Sequence, residues 1–107
     1  MLVAASDGMS KPVRLLDAAT SDATTIAGWY DDHQWGVGDR FLAELRRTLD
    51  SIAMLPDSFE LVHRRYHRAS VRDFPYSVYF RELDDEILVH CVIHNARHPN
   101  VWHSRLP

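Results

Sequence analysis

The sequence predicts an α+β domain: an N-terminal strand and a helical hairpin, then a three-stranded antiparallel run, with all strands in one sheet. Three observations predict it. Residues 76–83 and 86–95 are rich in β-branched and aromatic side chains and flank Asp84-Asp85, a polar pair suited to a tight hairpin turn. Residues 26–55 carry apolar side chains at helical spacing, interrupted at Gly36 and Gly38. A short apolar run, Val13 to Leu16, stands ahead of them after Pro12.

Val13 to Leu16 reads as an edge or first strand. Thr20-Ser21-Asp22 then offers helix N-caps, because these side-chain oxygens accept the orphan N–H groups of a first turn. Ile26, Trp29, Tyr30 and His33 recur on one helical face. A second helix starts near Asp39, with Phe41, Leu42, Leu45, Leu49, Ile52 and Leu55 as its apolar stripe, and Pro56 ends it. Its polar face, Glu44, Arg46, Arg47 and Asp50, reads as solvent exposure, and Trp29, Trp35 and Trp102 read as core and anchor residues.

Phe59, Leu61 and Val62 lead out of the helices. Tyr66 to Asp73 alternates as a strand, with Tyr66, Arg68, Ser70 and Arg72 opposite His67, Ala69, Val71 and Asp73. In the hairpin, Val78 and Phe80 share a face matched by Ile87, Val89, Cys91 and Ile93. Opposite them lie Ser77, Tyr79, Arg81 and Leu88, His90, Val92, His94. Pro75 sits ahead of the run, where its missing N–H costs no ladder bond. The tail from Ala96 to Pro107 reads as short and polar.

A chain of 107 residues is one domain with a modest core. Residues 12–107 are expected to form it, and residues 1–11 a disordered N-terminal extension, with Met9 a sensible start. No apolar run approaches the ~20 residues of a membrane helix, and the opening MLVAASDG lacks the basic and apolar regions of a secretory signal. The lone Cys91 cannot close an internal disulfide, which suits a reducing cytoplasm. On the core face it is a small apolar residue, not a nucleophile.

The net charge of −3 conceals an asymmetry. Residues 1–60 hold ten acids against five bases; residues 61–107 hold five acids, seven arginines and six of the seven histidines. Arg64, Arg65, Arg68, Arg72 and Arg81 fall within eighteen residues. Such a cluster suits nucleic acid or an acidic protein surface; the bland alternative is a solvated face with local ion pairs. The histidines raise the question of a metal, but His90 and His94 lie about 13 Å apart along a strand, too far for a shared tetrahedral ion. No metal or other cofactor is expected.

Three stretches in order carry a resemblance: WYDDHQWGVGDRFLAELRRTLDSIAMLP across the helices, FPYSVYFRELDDEILVHCVIH across the hairpin, and ARHPNVWHSRL at the end. Over roughly residues 12–106 the chain resembles the RelE/ParE superfamily of type II toxin–antitoxin toxins, most closely its ParE-like branch. The resemblance implies a small cytoplasmic toxin, neutralised by a cognate antitoxin in a toxin–antitoxin hetero-oligomer. It also implies one of two activities. Nuclease members cleave ribosome-bound mRNA and usually place an arginine early in the third strand, where this chain has Ser77-Val78-Tyr79-Phe80. Arg97 falls at another of their phosphate-binding positions, and Trp102 and His103 lie near their C-terminal tyrosine. ParE-like members generally lack that set and act by poisoning DNA gyrase, which is the reading favoured here.

The expected docking surface for gyrase, or for an acidic antitoxin segment competing with it, is Arg65, Arg68, Arg72, Arg81, Arg97 and Trp102. A hydrophobic groove beside the helical hairpin is expected to receive the antitoxin's apolar side chains. Were the chain a ribonuclease, the working set would be His67, Arg72, Arg81, His94 and Arg97, since imidazole serves as acid or base and arginine suits phosphate. A third class is an antitoxin-binding module that has lost toxicity.

Overall fold

In a computed structural model, which describes residues 10–107, one five-stranded mixed sheet is covered by two helices on one face and a short third helix on the other. The elements in order are β1 (Val13–Leu15), α1 (Asp17–His33), α2 (Val37–Met54), a 3₁₀ turn (Pro56–Ser58), β2 (Glu60–His63), β3 (Tyr66–Ser70), β4 (Tyr76–Glu82), β5 (Ile87–His94) and α3 (Pro99–Arg105). The sheet order is β1-β5-β4-β3-β2, with β1 parallel to β5 and the other neighbours antiparallel. The α+β class holds. Two elements are additional to the sequence reading: β2, an edge strand where a lead-out was expected, and α3, where a polar tail was expected.

Helix α1 begins a turn earlier than its cap signal. Leu16 occupies the N-cap without a side-chain bond, and Asp17 supplies the first-turn acid that favours the helix dipole. Thr20-Ser21-Asp22 therefore caps nothing, and Asp22 works elsewhere. Small buried residues, Ala19, Ala23 and Ala27 with Ile26, let α1 sit close to the sheet and to α2. Gly36, at φ +87°, turns the chain, and α2 starts at Val37, two residues before Asp39. A Cβ at Gly38 would lie 2.3 Å from the Ala27 carbonyl oxygen, so only glycine permits this approach of α2 to α1.

Phe41, Leu45, Leu49 and Ile52 are fully buried against the sheet, whereas Leu42 and Leu55 of the expected stripe are exposed. Phe41 meets Tyr30, Phe74 and Tyr76 with ring centroids 5.3–6.0 Å apart, mostly edge to face, which closes one end of the core. The Asp84-Asp85 turn forms as expected, with Leu83 N–H donating to the Glu86 carbonyl at 2.7 Å.

One irregularity rearranges the face assignment. Tyr79 pairs with Cys91 but Phe80 pairs with Val89, so His90 is an extra residue in β5. A bulge of this kind shifts the alternation by one. Ile87 and Val89 face the helices as expected, but there Val92 joins them, and Cys91 and Ile93 move to the opposite face. His90 and His94 likewise end on different sides: His90 lies edge-on to Tyr66, and His94 edge-on to Tyr76 of the helix-side core.

Lys11, inside the segment expected to be disordered, has its ammonium 2.7 Å from Glu82 and donates to the Leu83 carbonyl at 2.7 Å. Residues 1–9 of that segment lie outside the described residues.

Candidate functional site

On the face away from α1 and α2, a second, smaller apolar cluster is built from Tyr66, Tyr79, Cys91, Ile93 and Leu106. Helix α3 lies over it. Pro99 opens this helix at a position where a missing N–H is harmless, and His98 Nδ1 accepts from Asn100 N–H at 3.1 Å. Trp102 stacks on Tyr79 with centroids 5.3 Å apart and planes 17° from parallel, so it is the anchor the sequence suggested. Burial pushes the Cys91 thiol up to about 12, consistent with an inert apolar residue.

The rim of this cluster carries charge. Arg81 lies over the Tyr66 ring at 5.9 Å, and Arg68 pairs with Glu60 across to β2. Burial raises the Tyr79 phenol, opposed by its hydrogen bond with Arg68. His90 is buried beside them; burial lowers its pKa, with Arg81 adding to the effect. Arg81 Nε and His90 Nε2 are buried without a hydrogen-bond partner among the described residues.

Of the six expected docking residues, Arg68, Arg81 and Trp102 therefore meet on this face. Arg65 is exposed at the two-residue turn between β2 and β3, beside Arg64 at φ +51°. The other two are elsewhere. Arg72, in the β3–β4 loop, lines an indentation of about 360 Å³ with Glu44, Arg47 and Phe59. Glu44, in that indentation, departs from the reading of the α2 polar face as solvent-exposed, which holds for Arg46, Arg47 and Asp50: it is 9% exposed, pairs with Arg47, and its Oε2 is buried without a hydrogen-bond partner among the described residues.

Arg97 follows β5 and lines a cleft of about 430 Å³ with Asp22, Tyr76, His94 and Arg105. Sequence reasoning missed Asp22 and Arg105. The Asp22 carboxylate accepts from Val92 N–H at 2.9 Å and from Arg105 at 3.0 and 3.1 Å, tying α1, β5 and α3 together. Strand β1 spans only three residues, so the β5 backbone beyond it needs a substitute partner, and Asp22 is that partner at Val92. A proline opening the tail segment was the one signal of α3 available in the sequence.

The nuclease set does not gather. His67 stacks on Phe80 on the helix side and its Nδ1 donates to the Phe59 carbonyl at 2.9 Å. Arg81 is on the opposite face, and Arg72 lines a different indentation from His94 and Arg97. Only His94 and Arg97 share a cleft, where His94 Nδ1 accepts from Ala96 N–H at 3.0 Å.

The sequence profile of the family described as "ParE toxin of type II toxin-antitoxin system, parDE" matches residues 13–99, most of the chain. The chain belongs to this ParE toxin family. By structure, the ParE fold matches a protein described as "Chromosomal ParDE TA system from P. aeruginosa" with a TM-score of 0.71 at 12% identity. The match covers 82% of this chain and 98% of that one. At that identity the likeness concerns the fold. No curated protein matches the chain by sequence. Among the described residues, this ParE has no helix long and apolar enough to cross a membrane.

Proposed function

We propose that this ParE-family chain is a cytoplasmic toxin that inhibits DNA gyrase by binding, without breaking a bond, and is neutralised by a cognate antitoxin. One observation carries the reading. Arg68, Arg81 and Trp102 share a sheet face with Tyr79, while the imidazoles and guanidiniums an RNA-cleaving site would need are divided between the two faces. Cleavage by 2′-hydroxyl attack demands a base, a phosphate-binding cation and an acid around one scissile bond. A docking surface demands only charge and aromatic area.

The antitoxin in this reading lays an acidic segment against Arg65, Arg68 and Arg81. Its apolar side chains enter the groove of about 390 Å³ between α1 and α2, lined by Leu15, Ala23, Leu42 and Leu45. Arg72 and Arg97 lie at the margins of this surface, each in a separate depression.

The cleft holding His94, Arg97 and Arg105 favours a second reading, ribosome-dependent mRNA cleavage. Against it, Arg105 is already neutralised by Asp22. Three measurements decide. Expression of the chain arrests growth, and co-expression of the antitoxin restores it. Purified protein inhibits gyrase supercoiling and leaves ribosome-bound mRNA intact. Cut transcripts with normal supercoiling would transfer the case to the nuclease, and normal growth with tight antitoxin binding to a module without toxicity.

A further inference from the structure

The tip of the helical hairpin presents aromatic surface that the fold does not use. Trp35 is 94% exposed and Trp29 53% exposed, although both were expected in the core. Tryptophan is enriched in the cores of protein interfaces relative to the rest of a protein's surface. The turn that carries Trp35 is closed by backbone bonds: Gln34 N–H donates to Tyr30 O at 2.8 Å, Val37 N–H to Gln34 O at 3.2 Å, and Arg40 N–H to Gly36 O at 3.3 Å. Asp31 adds a side-chain lock, accepting from Gly38 N–H at 2.8 Å. Gly36 in its left-handed conformation and the crowding at Gly38 leave this turn little freedom. Beside it, the Trp29 ring stacks on His33 at 4.0 Å, and His33 Nδ1 donates to the Trp29 carbonyl at 2.7 Å. The backbone that carries Trp35 and the neighbouring Trp29 ring are therefore held before any partner arrives, which lowers the entropy lost on binding.

Charge narrows the partner. The exposed residues that flank the tip in the chain include Asp31, Asp32 and Asp39 against one base, Arg40, so the turn is acidic. An acidic rim repels phosphate backbones and anionic headgroups, and it repels the acidic segment assigned above to the arginine face. What it fits is a protein surface with an apolar pocket edged by lysine and arginine.

We propose that the hairpin tip is the surface by which the toxin engages its target protein, with Trp35 entering an apolar pocket edged by basic side chains. This rests on the toxin reading but moves the target contact from the arginine face to the tip, and leaves the arginine face to the antitoxin. The test uses the full chain with Trp35→Ala and, for the rim, Asp32→Lys. Both variants are expected to melt with the wild type and to co-purify with the antitoxin as the wild type does, yet to lose growth arrest. With purified gyrase as the probe, the concentration of Trp35→Ala giving half-inhibition rises by about 30-fold or more, the factor expected for losing an interface hot spot.

Growth arrest by Trp35→Ala equal to wild type overturns the assignment and leaves the toxin reading standing. Loss of antitoxin binding with Trp35→Ala overturns it by giving the tip to the antitoxin. A sedimenting dimer that Trp35→Ala makes monomeric overturns it in favour of a self-interface. A wild-type chain without effect on growth removes the toxin reading and the tip assignment together. Growth arrest that depends on Trp35 while gyrase stays uninhibited supports the tip and removes gyrase as the target.

Discussion

The two faces of the sheet are covered to different standards. The helix-side face is apolar and interlocked, with Phe41, Leu45, Leu49 and Ile52 packed on Val78, Phe80, Ile87 and Val89, all without exposed surface. The α3-side face has a cluster of five buried residues under one short helix and its tail, and leaves two polar nitrogens, Arg81 Nε and His90 Nε2, without a hydrogen-bond partner among the described residues. Burial of that kind costs stability and persists where some other demand holds the residues in place. The helix-side face is thus built for packing, whereas the α3-side face keeps charge and unpaired polar atoms that packing alone does not require.

The largest effect is expected from Phe41→Ala. The ring joins Tyr30, Phe74 and Tyr76, and its loss leaves a cavity costing about 3–5 kcal/mol, measured by denaturant unfolding. An equal cost from Trp102→Ala would erase the contrast between the faces. Next comes Asp22→Ala, which removes the acceptor of Val92 N–H and the partner of Arg105. A loss of about 1–3 kcal/mol is expected. Hydrogen exchange should rise in α3 and at Val92 first, and uniform exchange across the chain would refute the clamp.

The third concerns pH. His90 titrates below the ordinary imidazole value of 6.5 because burial, then Arg81, disfavours its charged form. A depressed value means that the unfolded chain binds the proton more tightly. The contribution is complete above pH 6.5 and is lost as pH falls through that value toward the folded one. Melting temperature should therefore drop on acidification below that point, and His90→Phe should flatten the drop; an unchanged profile would count against it.

The smallest effect on stability is expected from Arg65→Ala and Arg68→Ala. Arg65 is exposed and the Arg68–Glu60 pair is solvent-accessible, so each change should stay within about 1 kcal/mol. Antitoxin affinity, read by calorimetry, should fall all the same. Full affinity in the double variant would show that the charged face is ordinary solvated surface.

How much of this was readable in the chain varies with the range of the interaction responsible. Helical spacing from Ile26 to Ile52 and the Asp84-Asp85 turn are local signals, and both elements form. Strand β2 escaped because four residues at a sheet edge carry almost no periodicity, and α3 because seven residues do not establish a helical stripe. Among the site residues, the meeting of Arg68, Arg81 and Trp102 follows from alternation in two strands plus a helix that alternation does not reveal.

The α+β class, the helical hairpin, the β4–β5 turn and a resemblance to the ParE toxins are legible in the chain. These depend on neighbours a few residues apart or on a whole ordered pattern. The assembled fold alone reveals the bulge at His90, which exchanges Val92 with Cys91 and Ile93 between faces, and the use of Asp22 as a clamp instead of a cap. Only it decided that Glu44 is buried and Trp35 is not. The physical reason is that burial and hydrogen-bond satisfaction are set by elements distant in the chain, and side-chain polarity alone does not say which of them arrives.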